Sequence, residues 1–490
     1  NARLLVDLRQ SYGQGFVPDT GFYTALGLQF GNKVKLEEIV RINYETKINK
    51  IESLIKSWSK RFLTIYGRLT IIKTLLLSQL VYLIVPLPRP PKTIINKIDR
   101  ILHQFLWGGK TEKLARKQIE KPKSAGGLEM IDFESFYISL KIKAFRKLFT
   151  ESFEHPWKKI FLAQLVRPKE IFISTFNCLV KPKREFSQDL VKCVREWSEK
   201  SVNEVKQKTI NEIIWCNKFV SGSQNTIWNS YLINNNILFI SDFIDISGNI
   251  LSYDQFMSKY SHIEALSFSK SDYLPIRMTL KCFHNPNNPI KSISNVDHDP
   301  GLPPFSIKTD KVMTLSSKAL RANTIIDKNS VLLSPVIKWD VSIAVETDWN
   351  KTFKYLYTTS KNFKLVQHHF KVLSRIATNR YMRHKMKLES SPICSKCGSN
   401  SNSLETLEHI YTRCRDSTEF MSRVGDWIRE EVDPLFSNTG FPNITLMNEN
   451  KIVRLRLLIA NWYLGQKYQY KTVIIWAQFI SIARSMLALG

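Results

Sequence analysis

Four side chains near the end of the chain have the types and spacing of a metal site. In CSKCGSNSNSLETLEHIYTRC (394–414), Cys394 and Cys397 flank two residues, and His409 and Cys414 follow after a polar loop. Zinc takes four nitrogen or sulfur ligands in a tetrahedron, and Cys-x2-Cys offers two thiolates from one tight turn. Gly398 suits the positive φ that such a turn often requires. His409 and Cys414 lie five residues apart, about 140° off on an ideal helix. The helix through LETLEHIY must therefore tighten or end before Cys414 for both to face one ion. Three of the seven cysteines fall in this stretch, which argues against an accidental grouping. Four protein ligands leave no open position for water, so the expected zinc is structural and not catalytic.

The residues before the motif point to a polyanion. KNFKLVQHHFKVLSRIATNRYMRHKMKL (361–388) holds eight Lys and Arg and no Asp or Glu. Read as one helix, it carries an apolar stripe of Phe370, Leu373, Ala377 and Tyr381, with Lys364, Lys371 and Arg375 opposite. Arg380, Arg383, Lys385 and Lys387 continue the positive face. Solvated faces normally mix both signs, so a one-sign face suits the phosphate backbone of nucleic acid. His368, His369 and His384 have no paired carboxylate or second cluster near them and read as surface residues. An earlier stretch repeats the pattern. Lys47, Lys50, Lys56, Lys60, Arg61, Arg68 and Lys73 face only Glu52 as counter-charge. Trp58 could stack on a base, but its place on the apolar stripe of that helix favours the core.

The whole composition agrees. The 490 residues carry 71 Lys and Arg against 43 Asp and Glu, a net charge of +28, with a pI near 9.7. Such an imbalance costs self-repulsion, which RNA or DNA offsets by exchanging condensed counterions for Lys and Arg. An anionic membrane surface is the second choice of partner. The scattered Cys178, Cys193, Cys216 and Cys282 suggest reduced, buried thiols, and hence the cytoplasm and nucleus. LTIIKTLLLSQLVYLIVPL (69–87) is apolar enough to resemble a membrane span. Lys73, Gln79 and the closing prolines favour a core helix, and no membrane partner is expected. The chain begins at Asn1 without Met, which suggests a fragment.

The elements that would position these side chains are mainly helical. Residues 1 to about 35 are Gly-rich and turn-punctuated, like strand ends. From Leu36 the period becomes helical, with Ile48, Ile51, Ile55, Trp58 and Phe62 on one face. A second helix runs from Leu69 to Ile84 and stops at PLPRPPK (86–92). A third, marked by Ile94, Ile98, Ile101 and Phe105, ends at Gly108-Gly109. A mixed region follows to about 280. The Pro/Asn-rich HNPNNPIKSISNVDHDPGLPP (284–304) reads as a linker. Helices are then expected at 311–325, 340–358 and 362–388, with a closing pair after the motif.

Two tempting motifs fail. WGGKT (107–111) resembles the end of a P-loop, but Gln104 stands where that pattern needs glycine. No adjacent Asp-Asp pair occurs, as a two-metal polymerase site commonly carries. No Ser-His-Asp or Cys-His arrangement stands out.

Longer stretches resemble a known family. ALGLQFGNK (25–33), IESLIKSWSKRFLTIYGRLTIIKTLLLSQLVYLIVPLPRPPKTIINKIDRILHQFLWGGK (51–110) and KPKSAGGLEMIDF (121–133) are similar to the reverse transcriptase of non-LTR (LINE-type) retrotransposons. IWNSYLINNNILFISDFIDISGNILSYDQF (227–256) and RIATNRYMRHKMKLESSPICSKC…ETLEHIYTRC resemble the C-terminal region of that family, with its Cys-Cys-His-Cys zinc segment. The resemblance runs over nearly the whole chain in the family's order. It implies a mainly α, multidomain protein. Residues 1–35 would be the α+β end of the polymerase palm, and 36–150 the helical thumb and connection. Residues 151–283 would form a mixed linker domain, followed by the linker 284–310 and the basic helical region 311–390. The zinc segment 391–416 and C-terminal helices 417–490 complete the division. The implied function is a part of an RNA-directed DNA polymerase acting in target-primed reverse transcription. The thumb would grip template–primer, and the zinc region would hold element RNA or target DNA. Mg²⁺ would serve only the catalytic palm, which with the endonuclease belongs to the upstream part of the polyprotein. A non-enzymatic, domesticated module binding RNA, DNA or protein is the alternative.

Overall fold

The computed structural model describes residues 22–31, 34–146, 214–215, 227–235, 237–245, 248–264, 267–283, 306–307, 310–311, 316–324, 338–340, 347–397, 402–437, 445–446 and 448–488, together with 158–159, 188–190, 192–193 and 196. Gly398, Cys178, Cys216, most of 284–310 and most of 151–213 lie outside them, as does the Cys282 side chain. The architecture is mainly helical, with two small two-stranded sheets. The chain forms two compact units. One combines Asn1–Thr46, Leu80–Ile95 and Phe133–Ile326; the other combines Lys47–Gln79, Asn96–Asp132 and Asp327–Gly490. Each unit is built from three separate stretches of the sequence. Both basic stretches and the Cys/His motif fall in the second unit.

In the first unit, β1 (Phe22–Ala25) and β2 (Leu28–Gly31) form an antiparallel hairpin. Leu26 and Gly27 both adopt positive φ, as a two-residue hairpin turn of the primed type requires. Helix α1 (Leu36–Trp58), of which the part to Thr46 belongs to this unit and the rest to the second, starts with Glu37 and Glu38 and has Lys56 in its last turn, complementing the helix dipole. Buried Asn43 ties the hairpin to it, accepting from Gln29 N at 2.8 Å and donating to Gln29 O at 2.7 Å. Val40, Tyr44, Ile48 and Ile51 repeat at helical spacing and are buried. The expected stripe stops there. The helix ends at Trp58, so Phe62 lies beyond it and is fully exposed. Trp58 is half-buried, not core, with the Arg61 guanidinium 4.4 Å from its ring centre.

A separate core in the same unit joins Trp215 to residues of the 227–283 stretch. Phe243 and Phe256 stack at 5.2 Å, Trp215 meets Phe243 edge-on, and Trp215 Nε1 donates to Ile237 O. These contacts explain the aromatic density of that stretch.

The second helical run extends from Ile65 to Ile84, longer than expected, and includes a π-helical turn at Ile72–Leu76. Thr64 caps its start, accepting from Gly67 N. It is long and apolar enough to cross a membrane by length and composition. Its Leu69, Ile72, Leu76, Leu77, Leu80 and Leu83 are buried within the protein. A third helix, Lys92–Leu106, buries Ile94, Ile98, Leu102 and Phe105 and ends at Gly108 and Gly109, both with positive φ.

The rest of the second unit includes Trp349–Thr359, Phe363–Leu373, Arg380–Lys385, Arg415–Glu431, Lys451–Gln469 and Trp476–Ala488. Three helices follow the Cys/His motif among the described residues, where a pair was expected. They share an aromatic core in which Phe420, Trp427, Tyr463 and Trp476 surround Phe479. The expected single helix over 362–388 is two helices. Arg375 takes φ +57°, which stops the first, and Asn379 starts the second by accepting from Met382 N. Ala377 lies in the break, off any helical stripe, although it is buried.

His368 and His369 are not surface residues. His369 is fully buried. Nε2 of His368 lies 3.0 Å from the Tyr411 hydroxyl, and its ring packs where a Cβ on Gly465 would stand, 2.2 Å away. Glycine at 465 is what allows that approach. Burial, then the neighbouring His369 and Lys371, push the His368 pKa down to about 3, against a backbone hydrogen bond at Asn461 that raises it. A histidine held neutral in the fold stabilises fully above its unfolded value near 6.5 and loses that contribution as pH falls toward about 3. Stability is therefore expected to drop across this window by on the order of 1 kcal/mol per pH unit at most. Urea unfolding at a series of pH values checks this. His368→Gln should flatten the slope, and an unchanged slope would contradict the assignment.

Candidate metal centre and basic surface

The Cys394 turn is built by a short β-bridge. Ile393 pairs with Leu404, Cys394 N donates to Ser403 O, and Glu405 N donates to Pro392 O. These bonds fold the loop back on itself and bring Leu407–Tyr411 under the two thiols. The geometry at His409 and Cys414 solves the five-residue spacing in an unexpected way. His409–Arg413 is a π-helical turn, wider than an α-helix, not tighter. Cys414 N donates to His409 O at 2.7 Å, the five-residue bond of such a turn. Cys414 then leaves the helix with extended backbone, at φ −71° and ψ 130°. The second half of the expectation, an end before Cys414, is met.

These turns bring Cys394, Cys397, His409 and Cys414 together, with all four ligand atoms within 4.8 Å of one another. Cys397 Sγ is 3.2 Å from His409 Nε2 and 3.5 Å from Cys414 Sγ, and Cys394 Sγ is 4.0 Å from Cys414 Sγ. A tetrahedral zinc with Zn–S near 2.3 Å places its ligand atoms about 3.8 Å apart. The cluster thus has the dimensions of a tetrahedral site and could hold a metal ion. Cys394 and Cys414 are buried and Cys397 half-buried, so the sulfurs form a closed centre.

The surroundings favour thiolate at Cys414, whereas the bond between the two thiols raises Cys394 and burial raises Cys397. Backbone N–H groups of Lys396 and Cys397 point at Cys394, that of Arg415 at Cys397, and that of Ser417 at Cys414. Hydrogen bonding from the Cys394 thiol pulls the Cys414 pKa well down, helped by bonds from Tyr468 and Cys397, while the same bond raises Cys394. The Tyr468 hydroxyl also lies 2.8 Å from Ser417 Oγ, which fixes it behind Cys414. Such outer groups orient metal ligands.

The motif also clamps the two basic helices. Glu405 Oε1 accepts from Arg380 N at 3.0 Å, capping the helix Arg380–Lys385 beside Asn379. Arg375 forms an ion pair with Glu408 and lies 4.9 Å from the Trp339 ring centre. Lys396 Nζ donates to Thr472 O at 2.7 Å, and Lys471 meets Glu389 at 2.8 Å. Sequence reasoning missed Glu405, Glu408 and Glu389. Two acids between ligand pairs of a metal motif, directly after an acid-free basic stretch, were the available signal.

The structure divides the fourteen basic residues into those held by neighbours and those facing outward. Arg375 is committed to Glu408. Arg380 and Arg383 each lie 3.5 Å from Glu389. Lys385 sits over Tyr381, Arg61 over Trp58, and Lys73 is 4.0 Å from Glu129. Lys50, Lys56, Lys60, Lys364 and Lys387 are exposed, and Lys47, Arg68 and Lys371 half-buried, with no carboxylate in ion-pairing reach among the described residues.

No family model matches the chain. A protein of Arabidopsis thaliana named as a ribonuclease H protein is 31% identical over 96 residues, covering 18% of this chain and 15% of that protein. The chain therefore matches only a small part of that relative's length. The likeness is to a protein whose name concerns nucleic acid.

Proposed function

We propose that this chain is a nucleic-acid-binding portion of a LINE-type RNA-directed DNA polymerase. Its basic helices contact the phosphate backbone of template–primer, element RNA or target DNA in target-primed reverse transcription. Zinc is the metal that best suits three thiolates and one imidazole in a closed tetrahedral cluster, and its role is structural. The observation that carries the reading is the clamping of a four-ligand centre onto two basic helices inside one compact unit. The short likeness to a protein named as a ribonuclease H protein supports the nucleic-acid part of the reading. Work on such a substrate places the chain in the cytoplasm and nucleus.

The purified chain is expected to carry about one zinc and to prefer an RNA–DNA hybrid over anionic phospholipid vesicles of equal charge. Metal analysis and competition binding check both. A chain without zinc, or one that prefers vesicles, would overturn the corresponding part.

A further inference from the structure

Four cations of the second unit converge beside the turn that ends the helix Lys92–Leu106. Arg68 lays its guanidinium against Gly108, where a Cβ would fall 2.5 Å from Nη1 and 2.7 Å from Cζ. Gly108 and Gly109 both have positive φ; Lys110 follows directly and Lys113 three residues later. Lys371, in the last turn of Phe363–Leu373, comes from a helix packed on the one that carries Arg68: Phe370 meets Tyr66 at 6.3 Å and Gln367 Oε1 accepts from Ile65 N at 2.6 Å. Burial and then Lys113, Lys110 and Arg68 all lower its pKa, and no carboxylate counters them. Arg68 is itself lowered by burial. Glu112, the acid within the turn, is taken by Arg116 at 2.6 Å. Other shielded cations among the described residues have carboxylate partners, as Arg375 has Glu408 and Arg456 has Glu431. A like-charged group without an acid carries a repulsion that a bound anion removes.

We propose that Arg68, Lys110, Lys113 and Lys371 form a phosphate-binding site whose ligand is one phosphodiester of a nucleic-acid strand. The inference rests on the nucleic-acid reading above and gives it a location. The Arg68 fork suits two phosphate oxygens, and the lysines act as point charges around them. WGGKT (107–111) then has a role, although not that of a P-loop. Gly108 leaves room for the guanidinium, and Lys110 joins the cluster.

The test uses the full zinc-loaded chain, with Lys371→Gln and the exposed-site variant Lys110→Gln. Lys354→Gln, an exposed lysine outside the cluster, serves as the charge control. Affinity for an RNA–DNA hybrid is measured across a potassium chloride series, and melting temperature with and without inorganic phosphate at equal ionic strength. Both cluster variants are expected to lose affinity several-fold, with a log–log salt slope shallower by about one. The control should keep the parent slope. If the parent binds the hybrid steeply and both variants keep its slope, the site is overturned while the nucleic-acid reading stands. If the parent ignores the hybrid but phosphate raises its melting temperature, and Lys371→Gln abolishes that rise, the anion site is supported with free phosphate as its source. The nucleic-acid reading then falls. A response to neither ligand overturns both.

Discussion

Chelation of the metal, or Cys414→Ser, is expected to unfold the segment around residues 389–414 and to lower the melting temperature by on the order of 10 °C. The segment has little else to hold it. Its sheet is a single bridge, Ile393 to Leu404, and its buried apolar side chains before the next helix are Leu407, Ile410 and Tyr411. That burial does not offset the entropy of ordering a polar loop, so under the proposed zinc reading the folding free energy would come from the ion. Loss of Cys414 has a second effect, because its backbone begins the helix Arg415–Glu431 and its sulfur sits against Tyr468. The loss should also pass to the basic helices through Glu405 on Arg380 N and Glu408 on Arg375. Far-ultraviolet circular dichroism with and without a strong chelator reads the effect. Superimposable melting curves would contradict a structural metal.

Asp189→Ala is expected to cost about 3–5 kcal/mol in the first unit, the range for removing one partner from a buried ionic group. Asp189 accepts from the Tyr137 hydroxyl at 2.7 Å and lies 3.5 Å from Lys141 Nζ and 3.6 Å from Arg89 Nε. Lys141 is 1% exposed, and its ammonium also donates to Leu87 O at 2.7 Å. Burial already lowers the Lys141 pKa, with Asp189 the main opposing influence. Without that carboxylate, the lysine must give up its proton or its buried place. Arg89 fares better, since Glu196 receives it at 2.7 and 3.0 Å. The neighbouring Cys193 thiol, pushed up to about 12 by burial and by Asp189, stays protonated and inert. Urea unfolding followed by intrinsic fluorescence measures the change, and a loss below about 1 kcal/mol would show that the network is solvated.

How much of this was legible in the sequence depended on distance along the chain. The four side chains of the Cys/His cluster lie within 21 residues of one another, and the spacing that thiolate chemistry favours makes such a cluster readable directly. Helices with strong periodicity were equally plain, as in the run Val40, Tyr44, Ile48 and Ile51. Periodicity does not say where a helix stops, so Phe62 and Trp58 were carried too far along the stripe. The break at Arg375 was invisible for a related reason. No glycine or proline marks it, and the positive φ is held by the ion pair with Glu408, 33 residues away. The π-helical turn at His409 likewise has no local sequence signal, although it brings His409 and Cys414 into one cluster. The Arg89 network joins residues more than a hundred positions apart, and no local pattern announces it.

The most direct test of the central claim is the salt dependence of binding between the zinc-loaded chain and an RNA–DNA hybrid. If the basic helices grip the phosphate backbone, log affinity should fall linearly with log salt, by about 0.9 for each phosphate neutralised on a duplex. An affinity that stays level from low to high salt would contradict the claim.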